Sequence, residues 1–216
     1  MLIYAAADIH GHMHRIRQVE KQVAIHRPDL LVLAGDISRR RRPEVVLAAL
    51  NRLDLPVLLV RGNSDCRALD RLIKPFPHLR DAHLSRVRVD DVAFVGVGGT
   101  LPLPFHSRLG VREAETVARI SGLLKDHSVL VVHPPPYGVR DRVLGRFHAG
   151  SRAVRRLVDT CSPALVLCGH IHEQAGVATI GRTVVVNCAM GRSRAGAMIR
   201  YNGRSTPVGR VLLPDG

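Results

Sequence analysis

Two short pairs in this chain, Asp8 with His10 and His170 with His172, are spaced so that each could hold one ion. Side chains of an extended segment alternate, so residues two apart point the same way and can reach a common ligand. Asp36, Asn63 and His133 complete a set of seven: two carboxylates, one amide and four imidazoles, with no thiolate among them. One ion would not use that many ligands of this kind; two ions sharing a bridging carboxylate would. Mixed nitrogen and oxygen donors suit Mn, Fe, Zn, Co or Ni better than Mg or Ca, which take all-oxygen shells. Mn²⁺ is the favoured occupant. Two such ions roughly 3.5–4 Å apart lower the pKa of a shared water and clamp an in-line displacement at phosphorus.

The same residues stand at the ends of hydrophobic runs. LIYAAA leads into Asp8, LLVLAG into Asp36, VLLVRG into Asn63, SVLVV into His133 and ALVLCG into His170. Each run is short, apolar and rich in β-branched residues, so each reads as a buried strand. In an open α/β sheet, ligands bind in the crevice beyond the carboxyl ends of the strands. Chance would scatter such residues; here they collect at one edge. Gly35, Gly62 and Gly169 directly precede Asp36, Asn63 and His170, where glycine lets the chain leave the strand tightly. The prolines at 134–136 cannot continue a helix or donate ladder hydrogen bonds, so they should hold His133 at the rim in a stiff loop.

Strands and helices alternate through the first part of the chain. Helices are expected over 12–26, over 43–53 with Pro43 in its first turn, and in a short piece over 65–73. Strands over 29–34 and 57–60 lie between them, giving repeated βαβ units and parallel pairing. Two shorter strands at 85–89 and 92–97 follow, then an irregular Gly/Pro loop at 98–110 and a helix over 113–124. The loop at 134–150 is long for a compact domain, and such loops are often functional. After a helix over 151–160, four short strands at 176–180, 183–187, 197–201 and 208–213 read as an antiparallel meander. No repeat or linker interrupts the chain. The expected architecture is a single domain over 1–216: an α/β, four-layer αββα sandwich of mixed sheets, with its metal site at the C-terminal strand ends.

Bulk properties narrow the field further. A chain of 216 residues buries roughly 70% of its unfolded surface, enough for a core without staples. Cys66, Cys161, Cys168 and Cys188 form no CxxC pair and no zinc spacing, so reduced and mostly buried thiols are expected. There is no room for a signal peptide before the first strand and no apolar run long enough to span a membrane, so a cytoplasmic protein is expected. The net charge is +14, carried mostly by arginine, which draws phosphate-bearing partners. Aromatics make up only 3%, with no Trp, which disfavours a base-stacking platform for nucleic acid. The arginines at 39–42 open a helix directly after Ser38, at the end of the dipole where cations are unfavourable.

These motifs resemble the calcineurin-like metallophosphoesterase superfamily: Asp8-Ile9-His10, Gly35-Asp36, Gly62-Asn63-Ser64-Asp65, His133 and Gly169-His170-Ile171-His172, in that order. The chain is also similar to the small prokaryotic members, including at 98–105, 133–138, 148–151 and 169–173. The resemblance implies that Asp8, His10, Asp36 and His172 hold one metal and that Asp36, Asn63, His133 and His170 hold the other. A hydroxide bridging the two would be the nucleophile, with Asp36 and Asn63 counted among the catalytic residues. Many members carry a histidine directly after the asparagine to protonate the leaving oxygen; here that residue is Ser64. Asp65, His12 or His148 could act as the acid instead, and esters with good leaving groups should react best. Ser151 is a good N-cap for the helix that follows, and with Arg152 it could hold a substrate phosphate at that helix N-terminus. Glu173 could orient a ligating histidine. The expected activity is hydrolysis of a small phosphodiester. Alternatives are a phosphomonoesterase, a nuclease, and, from another class, a silent scaffold of the kind that loses its metal ligands; every ligand position is occupied here.

Overall fold

The computed structural model describes residues 1–38, 43–103, 106–125, 127–191, 194–203 and 208–215. The arginine run at 39–42 lies outside them. The first half of the chain contributes β1 (Leu2–Ala6), β2 (Leu30–Ala34), β3 (Val57–Val60), β4 (Leu79–Asp81), β5 (Arg86–Val89), β6 (Val92–Val97), β7 (Leu101–Leu103) and β8 (His106–Arg108). The second half contributes β9 (Val129–Val132), β10 (Arg142–Val143), β11 (Phe147–His148), β12 (Leu165–Cys168), β13 (Gly176–Ile180), β14 (Thr183–Asn187), β15 (Ala197–Tyr201) and β16 (Val208–Leu212). The helices are α1 (Met13–His26), α2 (Pro43–Asn51), α3 (Leu69–Leu72), α4 (Glu113–Leu123) and α5 (Arg152–Cys161), with one 3-10 turn at His172–Gln174. None of the described helices is long and apolar enough to cross a membrane.

Two six-stranded mixed sheets carry the fold, in the orders β16-β15-β1-β2-β3-β4 and β13-β14-β12-β9-β6-β5. Strand alternation explains how they stack. Along β1, Ile3 and Ala5 turn into the cluster between the sheets, while Tyr4 and Ala6 turn outward beneath Ile16 of α1 and Leu47 of α2. Along β9, Val129 and Val131 face inward, and Leu130 and Val132 face Ile120 of α4 and Leu157 of α5. Both faces of both sheets are therefore apolar, as parallel strands covered on each side require. The result is the four-layer αββα sandwich.

β1, β2, β3 and β4 run parallel in one sheet; β6, β9, β12 and β14 run parallel in the other. The sheets are stitched together where β1 ends: Ala7 N donates to Cys188 O at 3.1 Å and Met190 N to Ala7 O at 3.0 Å.

The tail departs from the expected meander. β13 and β14 form an antiparallel pair in the second sheet, with β14 parallel to β12, whereas β15 and β16 join the first sheet beside β1. Local turn signals predict strands, but the open edge each one finds is a property of the assembled sheets. Three further elements lie where no strand was expected. These are β4, the antiparallel β7–β8 pair within 98–110, and the β10–β11 hairpin inside the 134–150 loop. The helix expected over 65–73 shrinks to α3 because Asp65 is bonded to another turn.

Candidate metal centre

Asp8, Asp36 and Asn63 follow β1, β2 and β3 of one sheet, and His133 and His170 follow β9 and β12 of the other. Two parallel sheet edges thus face each other across one crevice. The chain must turn sharply to aim these side chains back over the strand ends. Asp8, His10, Asp36 and His170 have φ of 61°, 52°, 51° and 71°. Such left-handed backbone costs a non-glycine residue about 1–2 kcal/mol, and strain of this kind concentrates at functional sites. Backbone bonds hold it in place: Asp8 N donates to Gly35 O at 3.0 Å and His10 N to Asp36 O at 2.7 Å. Close approach explains Gly62, where a Cβ would collide with Asp36 Oδ1 and stand 2.5 Å from Asp36 N.

The donor atoms converge. His172 Nε2 lies 3.1 Å, His10 Nε2 3.8 Å and His133 Nε2 3.9 Å from Asp8 Oδ1. That oxygen is buried and accepts no hydrogen bond from a described residue, whereas Oδ2 accepts from His170 N at 2.9 Å. Asp36 Oδ2 stands 3.5 Å from His133 Nε2 and 3.8 Å from His10 Nδ1. Asn63 Oδ1 and His170 Nδ1 reach His133 Nε2 at 3.1 and 3.2 Å.

The tautomer of His133 decides what such convergence means. Its Nδ1 is 2.9 Å from Ala34 O, and a carbonyl only accepts, so Nδ1 carries a hydrogen. In the neutral ring Nε2 then presents a lone pair to an amide oxygen, a carboxylate and a second imidazole. The amide oxygen and the carboxylate have no hydrogen to offer that lone pair, and a cation shared among the donors satisfies them together. The donors form two groups, Asp8–His10–His172 and Asp8–Asp36–His133. Asp8 belongs to both groups, and Asp36 also spans them through His10 and His133. The chemistry of the donors fits two divalent ions.

The electrostatics agree. Burial alone would lower the pKa of His133, but contact with Asp36 and the charges of Asp8 and Asp36 hold it at about 9. Without metal, a proton occupies the place of the cation. Burial and the charge of His133 depress His170 to about 4, leaving it neutral and ready to ligate. Burial pushes Asp8 and Asp36 upward, yet the neighbouring histidines outweigh it and keep both below the usual carboxylate range. His172 is raised by its contact with Asp8, and His10 is lowered by burial.

The candidate acids and substrate contacts fall in different places. Asp65 is buried, and its carboxylate accepts from Ser38 N at 2.7 Å, Gly62 N at 2.8 Å, Ser38 Oγ at 3.1 Å and Ile37 N at 3.2 Å. It ties the Asp36 turn to the Asn63 turn and has no oxygen free for a leaving group. Ser64 shares a 3.2 Å hydrogen bond with His10 Nδ1 and donates its N–H to Asp36 Oδ1 at 2.8 Å. His12 occupies the N-cap position of α1, its ring 5.3 Å from that of His14. Ser151 is fully buried as the N-cap of α5: its Oγ accepts from Val154 N at 3.2 Å and its N–H donates to Pro135 O. Its hydroxyl is turned into the fold. The Arg152 guanidinium stacks 4.2 Å from the centre of the Tyr137 ring.

His148 has the partner an acid needs. Its Nδ1 lies 2.6 Å from Asp141 Oδ1, and Asp141 also accepts from Gly138 N and Gly150 N. The β10–β11 hairpin that bears His148 is tied to the 3-10 turn at His172–Gln174 through Glu173, whose Oε1 accepts from Leu144 N at 3.2 Å. Sequence reasoning passed over Asp141 and Arg61; an acidic residue seven positions before His148 was the available signal.

Comparison with known proteins decides the family. The model of the calcineurin-like phosphoesterases matches residues 1–174, a span that includes all seven candidate ligands. The chain belongs to that family. A relative in Methanocaldococcus jannaschii, the uncharacterized protein MJ1162, is 29% identical over 196 residues, 87% of each chain. The glycerophosphodiester phosphodiesterase GpdQ of Enterobacter lignolyticus is 30% identical over 197 residues, covering 82% of this chain and 68% of that protein. The solved structure of TT1561 from Thermus thermophilus superimposes with a TM-score of 0.71 at 20% identity, over 99% of this chain and 98% of that one. As a calcineurin-like phosphoesterase, the chain is a hydrolase of phosphoric esters in a family that depends on two metal ions, and it carries the ligand groups for them.

Proposed function

We propose that this phosphoesterase hydrolyses a small phosphodiester with two divalent ions, Mn²⁺ favoured. Asp8, His10, Asp36 and His172 would hold one ion, and Asp36, Asn63, His133 and His170 the other. The observation that carries the reading is the buried Asp8 Oδ1, which accepts no hydrogen bond from a described residue and is ringed by three imidazole nitrogens. When bound, the ions supply Lewis acidity toward phosphoryl oxygens and a nucleophile drawn from water. The diester preference draws support from the likeness to GpdQ, a glycerophosphodiester phosphodiesterase by name.

Protonation of the leaving oxygen falls to His148 in this reading. Asp141 accepts from its Nδ1–H, which directs Nε2 outward and keeps that nitrogen available for a proton. Arg152, stacked on Tyr137 beside His148, stands to meet the substrate's negative charge.

The test is hydrolysis of a chromogenic phosphodiester and its matched monoester, each with Mn²⁺ and with chelator. Metal-dependent turnover favouring the diester is expected. Preference for the monoester would move the assignment to a phosphatase, and absence of both turnover and stoichiometric metal would leave a scaffold.

A further inference from the structure

A cleft of about 410 Å³ opens beside Asn63. Its wall holds Arg61, Arg67 and Gly99, and Leu101 and Val111 form its lip, 38% and 81% exposed. We infer that this cleft takes the organic group of the substrate and that this group carries a second anion, a terminal phosphate or carboxylate. The inference rests on the phosphoesterase reading for the reacting phosphorus and adds the substrate's other end.

The argument begins with position. Asn63 and Gly62 line the cleft, so a group bound there is contiguous with a phosphorus at the metal centre. Charge comes next. Among the described residues Asp65 is the only acidic one on this wall, and its oxygens are consumed by the bonds from Ile37, Ser38 and Gly62. Asp70 and Asp81 line a recess behind the same two arginines, yet neither arginine forms an ion pair with a described residue. Burial raises the Asp81 carboxyl, and the charge of Arg61 reaches it only through space, offsetting part of that rise, so no carboxylate contact among the described residues ties up either guanidinium on this wall.

Arg61 is also held in place. Its Nη1 donates to Arg67 O at 3.0 Å, and the chain at Gly99 (φ 88°) lies so close that a Cβ there would meet Arg61 Nε at 3.3 Å. A pre-positioned, planar guanidinium gives up little freedom when it grips an oxyanion. The apolar lip suits the carbon skeleton between the two anions.

Three esters test the inference with Mn²⁺: p-nitrophenyl butyl phosphate, and the same diester bearing a terminal phosphate or a terminal carboxylate on the butyl chain. At least one charged ester should show a KM about tenfold or more below that of the uncharged one. R61Q and R67Q should abolish this preference, and R210Q, an exposed arginine on β16, should retain it. A gain with phosphate alone identifies a terminal phosphate; a gain with both identifies a general anion site. Equal KM values in the wild type, or a preference that survives both cleft substitutions, would overturn the inference.

Binding of 4-hydroxybutyl phosphate to chelator-treated protein, measured by calorimetry, reports the cleft with no catalysis involved. A dissociation constant about ten- to hundredfold weaker in R61Q and R67Q supports the site. An unchanged constant refutes it, even if every ester is hydrolysed. Loss of all ester turnover with this binding intact would sink the phosphoesterase reading and leave the anion site standing.

Discussion

Asp65→Asn tests whether the Asp36 and Asn63 turns are one mechanical unit. The Asp65 carboxylate collects four donors: Ser38 N and Ser38 Oγ on Oδ1, and Gly62 N and Ile37 N on Oδ2. Asparagine keeps one oxygen. With the NH₂ toward Ser38, the Ser38 N–H is orphaned while its hydroxyl can turn to accept; with the NH₂ the other way, Gly62 N and Ile37 N are both orphaned. Each orphaned buried donor costs about 1–3 kcal/mol, and bonds to a charged acceptor weaken as well. The expected loss is about 2–4 kcal/mol, a large share of the ~5–15 kcal/mol by which domains are stable. Urea unfolding of chelator-treated protein measures it. The same substitution should weaken Mn²⁺ binding by about 10–100-fold, the usual effect of removing a group that orients ligands, because Asp36 and Asn63 lose their common tether. A loss below about 1 kcal/mol, or wild-type metal affinity, would refute the reasoning, since either result means that the turns hold their geometry independently.

Gly62→Ala should lower metal content by about tenfold or more, because its Cβ would displace Asp36 Oδ1; metal analysis of purified protein checks this. The metal-free protein should lose stability as pH rises. The folded His133 titrates at about 9 against an ordinary 6.5, so its contribution is fully present below 6.5 and disappears as pH passes 9. Thermal unfolding with chelator should show the decline and Mn²⁺-loaded protein should not; a flat metal-free profile would count against the proton's standing in for the cation. His148→Asn should reduce kcat by about 10²-fold or more for alkyl leaving groups and much less for p-nitrophenolate, with Asp141→Asn showing the same pattern more weakly. Equal losses for both leaving groups would assign His148 a structural role.

Much of this protein is written locally. The five apolar runs, their β-branched content and the polar residue ending each one determine parallel strands with candidate ligands beyond their C-terminal ends. Ser151 was legible as an N-cap because capping needs only the next few residues, and its Oγ accepts from Val154 N as such a cap should. The tertiary structure decided matters that depend on distant partners. Strand pairing is one: β15 lies against β1, so that Tyr4 Oη donates to Ala195 O across 191 positions, and no turn signal encodes which edge is open. Side-chain roles are another. Asp65 reads as a candidate acid beside Asn63, but the Asp36 turn folds onto it and saturates both oxygens. His148 gains Asp141 only when the hairpin closes. The left-handed backbone at Asp8, His10, Asp36 and His170 is only hinted at by their types, since Asp and His tolerate it better than most residues. The bonds that impose it, Asp8 N to Gly35 O, His10 N to Asp36 O and His170 N to Asp8 Oδ2, exist only once distant strand ends have met.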